Sequence, residues 1–151
     1  MLVDKVENPI QADIENSNKV EKEIIKLPVY VCKSRILLTV RQNIDNLNSS
    51  HIDSLLLTMD SSCKNNVEFG QFSNELLFMV LQNETELFLT QFDKLINEID
   101  TSFIFFQLRH PLHDQIDVTD ILERIEKVPI ENSTKAKFIE IMKINVSKYN
   151  D

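Results

Sequence analysis

The sequence predicts an all-α fold, a single compact bundle of about six or seven antiparallel helices, and three observations support this prediction. Apolar residues recur at intervals of three and four along most of the chain, which is the period of an amphipathic helix. Gly70 is the one glycine among 151 residues, so the residue that tight β-hairpin turns require is almost absent. Asparagine, serine and aspartate separate the periodic segments, which is typical of helix N-termini.

The chain divides into two predicted regions. Residues 1–26 mix isolated aliphatic residues with charges and asparagines in a weak period, so we expect a loosely ordered N-terminal tail or linker. Residues 27–151 are expected to form the helical domain. No run of 18 apolar residues occurs, which excludes a transmembrane helix, and the first 26 residues lack the apolar core of a secretory signal. We therefore expect a soluble protein and favour the cytoplasm, with a periplasmic or secreted location open if a signal peptide was removed.

The first helix is predicted over residues 28–47. Apolar residues there follow intervals of three and four, and Pro28 lies in the first turn, where its missing N–H removes no hydrogen bond. The β-branched and aromatic residues of LPVYVC, at 27–32, make a short strand the alternative for the start of this segment.

The second and third helices are predicted from their caps. Ser50 and Asp53 match a capping box that opens the second helix. Residues 61–66, SSCKNN, are expected to form a loop. The third helix is predicted to start near residues 71–73, with Gly70 acting as a hinge before it.

Residues 83–110 are expected to form the centre of the bundle. Asn83 is predicted to cap a fourth helix, and Asp100 a fifth helix at 101–109. The fourth helix carries apolar residues along one face, whereas Phe103 to Leu108 are apolar at almost every position. We therefore expect one buried face in the fourth helix and a nearly fully buried circumference in the fifth.

The last two helices have clear limits. Pro111 stops the fifth helix, and the polar residues that follow it predict an exposed loop. Asp117 is expected to open a sixth helix, which Pro129 closes. Asn132 or Ser133 is expected to cap the seventh.

The net charge of −8 is concentrated in the middle of the chain. Residues 42–100 hold ten acids against only Lys64 and Lys94. Such a surface is repelled by phosphate backbones and anionic membranes, whose binding depends on Lys and Arg. Residues 27–41 hold three cations without interleaved stacking aromatics, which is a weak nucleic-acid footprint. We expect a basic protein partner and neither nucleic acid nor membrane insertion, with a merely solubilising role for the acids as the alternative.

Cys32 and Cys63 are the only cysteines, and they lie 31 residues apart. Without a second close pair they cannot form a thiolate zinc site. We predict buried free thiols, with a disulfide between neighbouring helices as the alternative in an oxidising compartment.

Residues suited to metal binding occur close together in one place, at His110, His113, Asp114 and Asp117. A metal-dependent enzyme that uses this loop is the weakest of the functional hypotheses, because Pro111 prevents one helix from presenting both imidazoles and no third histidine accompanies them. No nucleophile motif and no glycine-rich nucleotide motif occurs. We therefore expect no catalytic activity, no metal and no cofactor.

The function that the sequence favours is non-catalytic binding of a basic protein through an acidic surface. An inhibitor or immunity-type protein is a specific form of this hypothesis, based on class and charge alone. The alternative is a helical adaptor or viral-type regulator that accepts a partner helix in an apolar groove lined by Phe103 to Leu108. The sequence leaves the oligomeric state open. The candidate contact residues are six acids and two apolar anchors beside Gly70, namely Asp53, Asp60, Glu68, Glu75, Glu86 and Asp93 with Phe69 or Phe72.

Overall fold

The computed structural model describes residues 30–149, and the all-α prediction is confirmed there. The predicted tail over 1–26 and the predicted helix start at Pro28 lie outside these residues. A short 3₁₀ helix, Ser61–Cys63, precedes the third helix, and none of the described residues forms a strand. The α-helices are α1 (Ser34–Gln42), α2 (Ser49–Thr58), α3 (Val67–Asn83), α4 (Thr85–Lys94), α5 (Thr101–Arg109), α6 (Val118–Lys127) and α7 (Ser133–Tyr149).

Helices α3 and α4 occupy the centre of the bundle. α3 packs against α1, α4, α5 and α6, and α4 packs against α2, α3, α6 and α7. Phe88 and Phe92 of α4 are fully buried. Their rings meet the Phe138 ring of α7 edge to face, with centroids 5.8 and 5.0 Å away. This aromatic cluster explains why the predicted central stretch organises the fold. None of the described helices is long and apolar enough to cross a bilayer.

Three predicted caps are confirmed. Asp100 Oδ1 accepts a hydrogen bond from Phe103 N at 3.1 Å at the start of α5. Asp117 Oδ1 accepts from Asp120 N at 3.0 Å at the start of α6. Asn132, rather than Ser133, opens α7, because its Oδ1 accepts from Lys135 N at 2.9 Å. Each cap satisfies a backbone N–H that has no partner within the helix.

The first helix is shorter than predicted. It covers Ser34–Gln42 rather than 28–47. Cys32 has a φ of 57°, a left-handed conformation that a continuous right-handed helix cannot contain. Its backbone N instead donates to Thr58 O at 2.8 Å. Residues 30–32 of the alternative strand, which was predicted over 27–32, form a turn, and residues 27–29 lie outside the described residues.

Several caps lie earlier than predicted. Asn48 rather than Ser50 caps α2, because its Oδ1 accepts from His51 N at 2.9 Å and its own N donates to His51 Nδ1 at 3.1 Å. Asn66 caps α3, because its Oδ1 accepts a hydrogen bond from Phe69 N. Gly70 therefore lies inside the first turns of α3 and is not a hinge. Asparagine is as good an N-cap as serine, which explains these shifts.

The boundary between α3 and α4 also differs from the prediction. Asn83 is the last residue of α3, so it does not cap α4. Glu84 separates the two helices, and its side chain makes no capping hydrogen bond. The Thr85 hydroxyl turns back and donates to Leu81 O at 2.7 Å.

The prediction of free thiols is wrong in this structure. Cys32 and Cys63 form a disulfide with their Cα atoms 5.5 Å apart. The left-handed turn at Cys32 brings its side chain to the 3₁₀ helix that carries Cys63. The bridge therefore ties the chain just before α1 to the connection between α2 and α3.

Candidate partner-binding surface

The solvent-facing side of α3 brings together three of the predicted contact residues. Glu68, Phe72 and Glu75 follow one another at intervals of four and three, so they share one helix face. Glu68 is exposed, and Phe72 and Glu75 are half-buried. Met79 continues the same face one turn further and is also half-buried. We call these four residues the α3 face, which carries two carboxylates on either side of a partly exposed aromatic ring.

The α3 face borders the loop between α5 and α6. His113 Nε2 of that loop lies 3.4 Å from Glu75 Oε1. Further along, Gln82 Nε2 donates to Asp120 Oδ2 at 2.6 Å, and Arg124 Nε donates to the same oxygen at 2.7 Å. The hydrogen bonds from Arg124 and Gln82 hold the pKa of Asp120 below its usual range. One carboxylate outside the predicted set, Asp120, therefore lies beside α3, where it pairs with Arg124.

The other predicted acids lie elsewhere on the bundle. Glu86 and Asp93 are seven residues apart on α4 and both are exposed, so they share a second face. Asp53 Oδ1 accepts from the largely buried Gln91 Nε2 at 2.7 Å. Asp60 caps the 3₁₀ helix through Ser62 N at 3.0 Å. The six acids thus occupy several places, and only Glu68 and Glu75 flank one of the predicted apolar anchors.

Five of the six candidate acids form no ion pair with another described residue, and the sixth, Glu75, lies beside His113. Asp93 accepts a hydrogen bond from the Thr134 hydroxyl at 2.8 Å, and, as described above, Asp53 and Asp60 also bind uncharged donors. No ion pair between described residues involves Asp53, Asp60, Glu68, Glu86 or Asp93. Their negative charge is therefore available at the surface.

Phe69 is not available as an anchor. Its side chain is 1% exposed and belongs to the core. Because α3 begins at Val67 rather than near residue 71, position 69 falls on the inner face of the helix. Phe72 keeps its partly exposed position and stays a candidate.

The structure exposes an aromatic residue that the sequence did not single out. Phe106 of α5 is 56% exposed, which contradicts the expected burial of almost the whole circumference of that helix. Ile104 and Leu108 are fully buried, so they do not line an open groove, and Phe103 is only 7% exposed. Ser102 and His110 lie four residues before and after Phe106, so the three residues share one face of α5. The two polar residues on this face could have predicted that Phe106 is exposed.

Phe106 borders a small apolar cavity of about 280 Å³ between α5 and the chain before α3. Its lining is formed by Ser61, Lys64, Ser102, Phe103 and Phe106. Asp100 Oδ2 accepts from Ser61 N at 2.9 Å and fixes the Ser61 side of this cavity. Burial opposes ionisation of Asp100, but hydrogen bonds from Ser61 N, Phe103 N and Ser102 outweigh it and hold the pKa of its carboxyl below the usual range.

The four metal-binding candidates are not gathered around one point. His113, Asp114 and Asp117 line a surface cleft of about 440 Å³ in the α5–α6 loop, and His110 does not. The His110 ring instead packs on the Phe106 ring at 4.4 Å, with Nδ1 2.8 Å from Phe106 O. Across residues 30–149, no three His, Cys, Asp or Glu side chains are placed to hold a metal ion. The geometry therefore gives the metal hypothesis no support.

No protein-family model, curated protein or solved structure gives a significant match to this chain.

Proposed function

We propose that this protein is a non-catalytic binding domain that uses an acidic surface to bind a basic protein partner. The observation that carries the proposal is the α3 face, where Glu68 and Glu75 flank Phe72 on the outside of a central helix. Lys and Arg side chains of a partner would meet carboxylates there that no Lys or Arg of the described chain neutralises. Such complementarity steers association and selects partners.

Phe72 adds the apolar contact that a charged surface lacks. Aromatic residues near the centre of an interface contribute more binding energy than charges at its rim. The half-buried ring is already held by the helix, so binding would order little additional chain. Two carboxylates beside an aromatic ring fit the usual make-up of a specific interface, which has an apolar centre and a polar rim.

Inhibition of a basic enzyme is the specific form of this function that we favour. An inhibitor that covers a positively charged active site gains from a rigid, preformed acidic surface, because less conformational entropy is lost on binding. The aromatic cluster of α4 and α7 and the Cys32–Cys63 bridge supply such rigidity here.

Affinity capture with charge-reversed variants tests the proposal. The immobilised wild-type chain and a Glu68→Lys/Glu75→Lys variant would be exposed to extract from the source organism, and captured proteins identified by mass spectrometry. A Glu123→Lys/Glu126→Lys variant is the matched control, since it changes the same charge at exposed positions of α6. We expect a basic protein captured by the wild type and the control but not by the α3 variant. Equal capture by all three would overturn the proposal.

The disulfide also favours a compartment different from the cytoplasm that the sequence favoured. Disulfides form and persist in oxidising compartments and are rare where thiols are kept reduced. We therefore propose that the protein works in an oxidising environment. Alkylation of the protein as isolated from its source, followed by mass spectrometry, should show no labelled thiol until a dithiol reductant is added. Labelling of both cysteines without reductant would refute this proposal.

A further inference from the structure

We infer that the groove between the first turns of α3 and the outer face of α5 holds an apolar side chain of the basic partner, while the partner's Lys or Arg residues contact Glu68 and Glu75. This inference rests on the proposed function and specifies how the partner docks. We call this groove the α3–α5 groove, and its exposed apolar residues are Val67 and Phe106.

Contacts at two positions along α3 show that α3 and α5 lie side by side and run parallel. Lys64, just before α3, lines one cavity with Phe103 and Phe106 near the middle of α5. Ten residues later, Asn74 Nδ2 donates to Gln107 O at 3.1 Å and to His110 O at 3.1 Å, at the end of α5. The buried Asn74 thereby fixes the distance between the two helices.

The α3 side of this groove is open. Val67 and Gly70 lie seven and four residues before Asn74, so all three share the side of α3 that faces α5. Val67 is 67% exposed. A Cβ atom added to Gly70 would meet no other atom within 4 Å, so the space over this residue is unfilled. Together with Phe106 at 56% exposed, these residues leave an apolar surface without a partner.

The size of the cavity in this groove fits a side chain. At about 280 Å³ it is smaller than most small-molecule pockets, which measure roughly 300–1,000 Å³. Its wall at Ser61 is held by the Asp100 carboxylate, and the neighbouring Cys63 by the disulfide. A fixed, mainly apolar recess of this kind accepts an anchor residue from another protein.

Charge decides which partner fits. Glu68 follows Val67 directly, and Glu75 lies two turns further along the α3 face. Lys64 lies beside Ser61 at the other end of the α3–α5 groove. Cations of the partner are therefore favoured on the α3 face and disfavoured beside Ser61. A second copy of this chain would bring like acids together, and its net charge of −8 opposes self-association. The occupant is therefore a basic segment that carries an exposed aliphatic or aromatic residue.

A designed peptide tests the groove directly. The probe is a 14-residue helix-forming peptide of Lys with Leu at intervals of three and four, and the control peptide has Ser in place of Leu. Binding to the ¹⁵N-labelled full chain would be followed by NMR titration. We expect shifted amide signals at the start of α3 and along α5, and an affinity for the Leu peptide at least about tenfold higher than for the Ser peptide.

Two variants locate the anchor. Phe106→Ser should lower affinity for the Leu peptide about tenfold, whereas Ile144→Ser, a similarly exposed control on α7, should leave it unchanged. Gly70→Leu should fill the groove and block the Leu peptide without lowering the melting temperature, since Gly70 is helical and a Cβ atom there meets no other atom within 4 Å.

The outcomes separate the groove from the acidic surface. If Glu68→Lys/Glu75→Lys weakens both peptides but Phe106→Ser and Gly70→Leu weaken neither, the proposed function survives and the groove inference is overturned. If the charge reversal has no effect, both fail. Sedimentation showing dimers that Phe106→Ser abolishes would assign the groove to a second copy and would also overturn the inference.

Discussion

At the scale of single residues, the fold depends on polar side chains that bind the ends of helices. Lys135 of α7 is 4% exposed, yet it carries an ammonium group. Its Nζ donates to Val128 O at 2.8 Å, to Glu126 O at 3.2 Å and to the Glu131 carboxylate at 2.9 Å. The ammonium thus satisfies carbonyls at the C-terminus of α6, where the helix dipole favours a cation.

Replacement of Lys135 by Met should therefore destabilise the protein. The aliphatic part of the side chain is preserved, but two carbonyls beside it lose their donor, at a cost of about 1–3 kcal/mol. Lys143→Met, at an exposed position of the same helix, should change stability by less than about 0.5 kcal/mol. Urea denaturation monitored by circular dichroism measures both, and an equal effect of the two variants would show that the buried ammonium is dispensable.

Asp100 should give a stability contribution that depends on pH. Its pKa is lower in the folded protein than its ordinary value of 3.8, so the contribution is complete above that value and is lost as pH falls through the folded pKa. Asp100→Ala should cost about 0.5–2 kcal/mol at pH 7, because it removes the α5 cap, and less at pH 3. Asp114→Ala, in an exposed loop, is the control. A loss of stability that grows towards pH 3 would contradict this account.

At the scale of helices, the sequence predicted the residue types that cap the helices better than it predicted where each helix begins. The caps at Asp100, Asp117 and Asn132 were predictable because each precedes an unbroken apolar period. The start of α2 was misplaced because Asn48, Ser49 and Ser50 are all competent caps. In the structure, Asn48 is the one that exchanges hydrogen bonds with His51.

A pair of alanine variants tests the assignment of the α2 cap. Asn48→Ala should destabilise by about 1 kcal/mol, because His51 N loses its acceptor. Ser50→Ala should have almost no effect, since this exposed residue lies inside the helix and alanine is a better helix former. Thermal unfolding distinguishes the two positions, and the opposite order of effects would restore the sequence-based prediction.

Pro111 predicted where α5 ends, and the structure confirms the predicted helix at 101–109, but the side chains that bind its end could not be predicted from the sequence. Side chains from two other helices bind its last carbonyls: Asn74 binds those of Gln107 and His110, and Asn145 binds that of Leu108 at 2.8 Å. Asn74 and Asn145 lie more than 30 residues away along the chain, and no local pattern relates them to α5. The contacts of Asn74 hold α5, and with it the exposed Phe106, beside α3.

At the scale of the whole molecule, one aromatic cluster joins the central and C-terminal helices. Phe92 is fully buried and contacts Phe88, Phe105 and Phe138. Phe92→Ala should destabilise by about 3–5 kcal/mol, as expected for removal of a buried ring, whereas the exposed Phe106→Ala should cost much less. Chemical denaturation measures both, and similar losses would mean that the core is not centred on α4.

Surface charge was predictable in amount but not in arrangement. The sequence located the excess of acids between residues 42 and 100. It could not indicate that only Glu68 and Glu75 flank an available aromatic residue, because contacts with other helices decide which face of a helix is buried. Phe69 is buried because α3 starts earlier than predicted. The disulfide that fixes the chain before α1 depends on the left-handed turn at Cys32, which the sequence did not indicate.

The association rate with the captured partner tests the central claim, electrostatic binding through the α3 face, most directly. We expect Glu68→Lys/Glu75→Lys to lower the rate constant at low salt by about tenfold or more and to weaken its dependence on ionic strength. Glu123→Lys/Glu126→Lys should leave both close to wild type. Identical rates and salt dependence for the two variants would contradict the claim that this face attracts the partner.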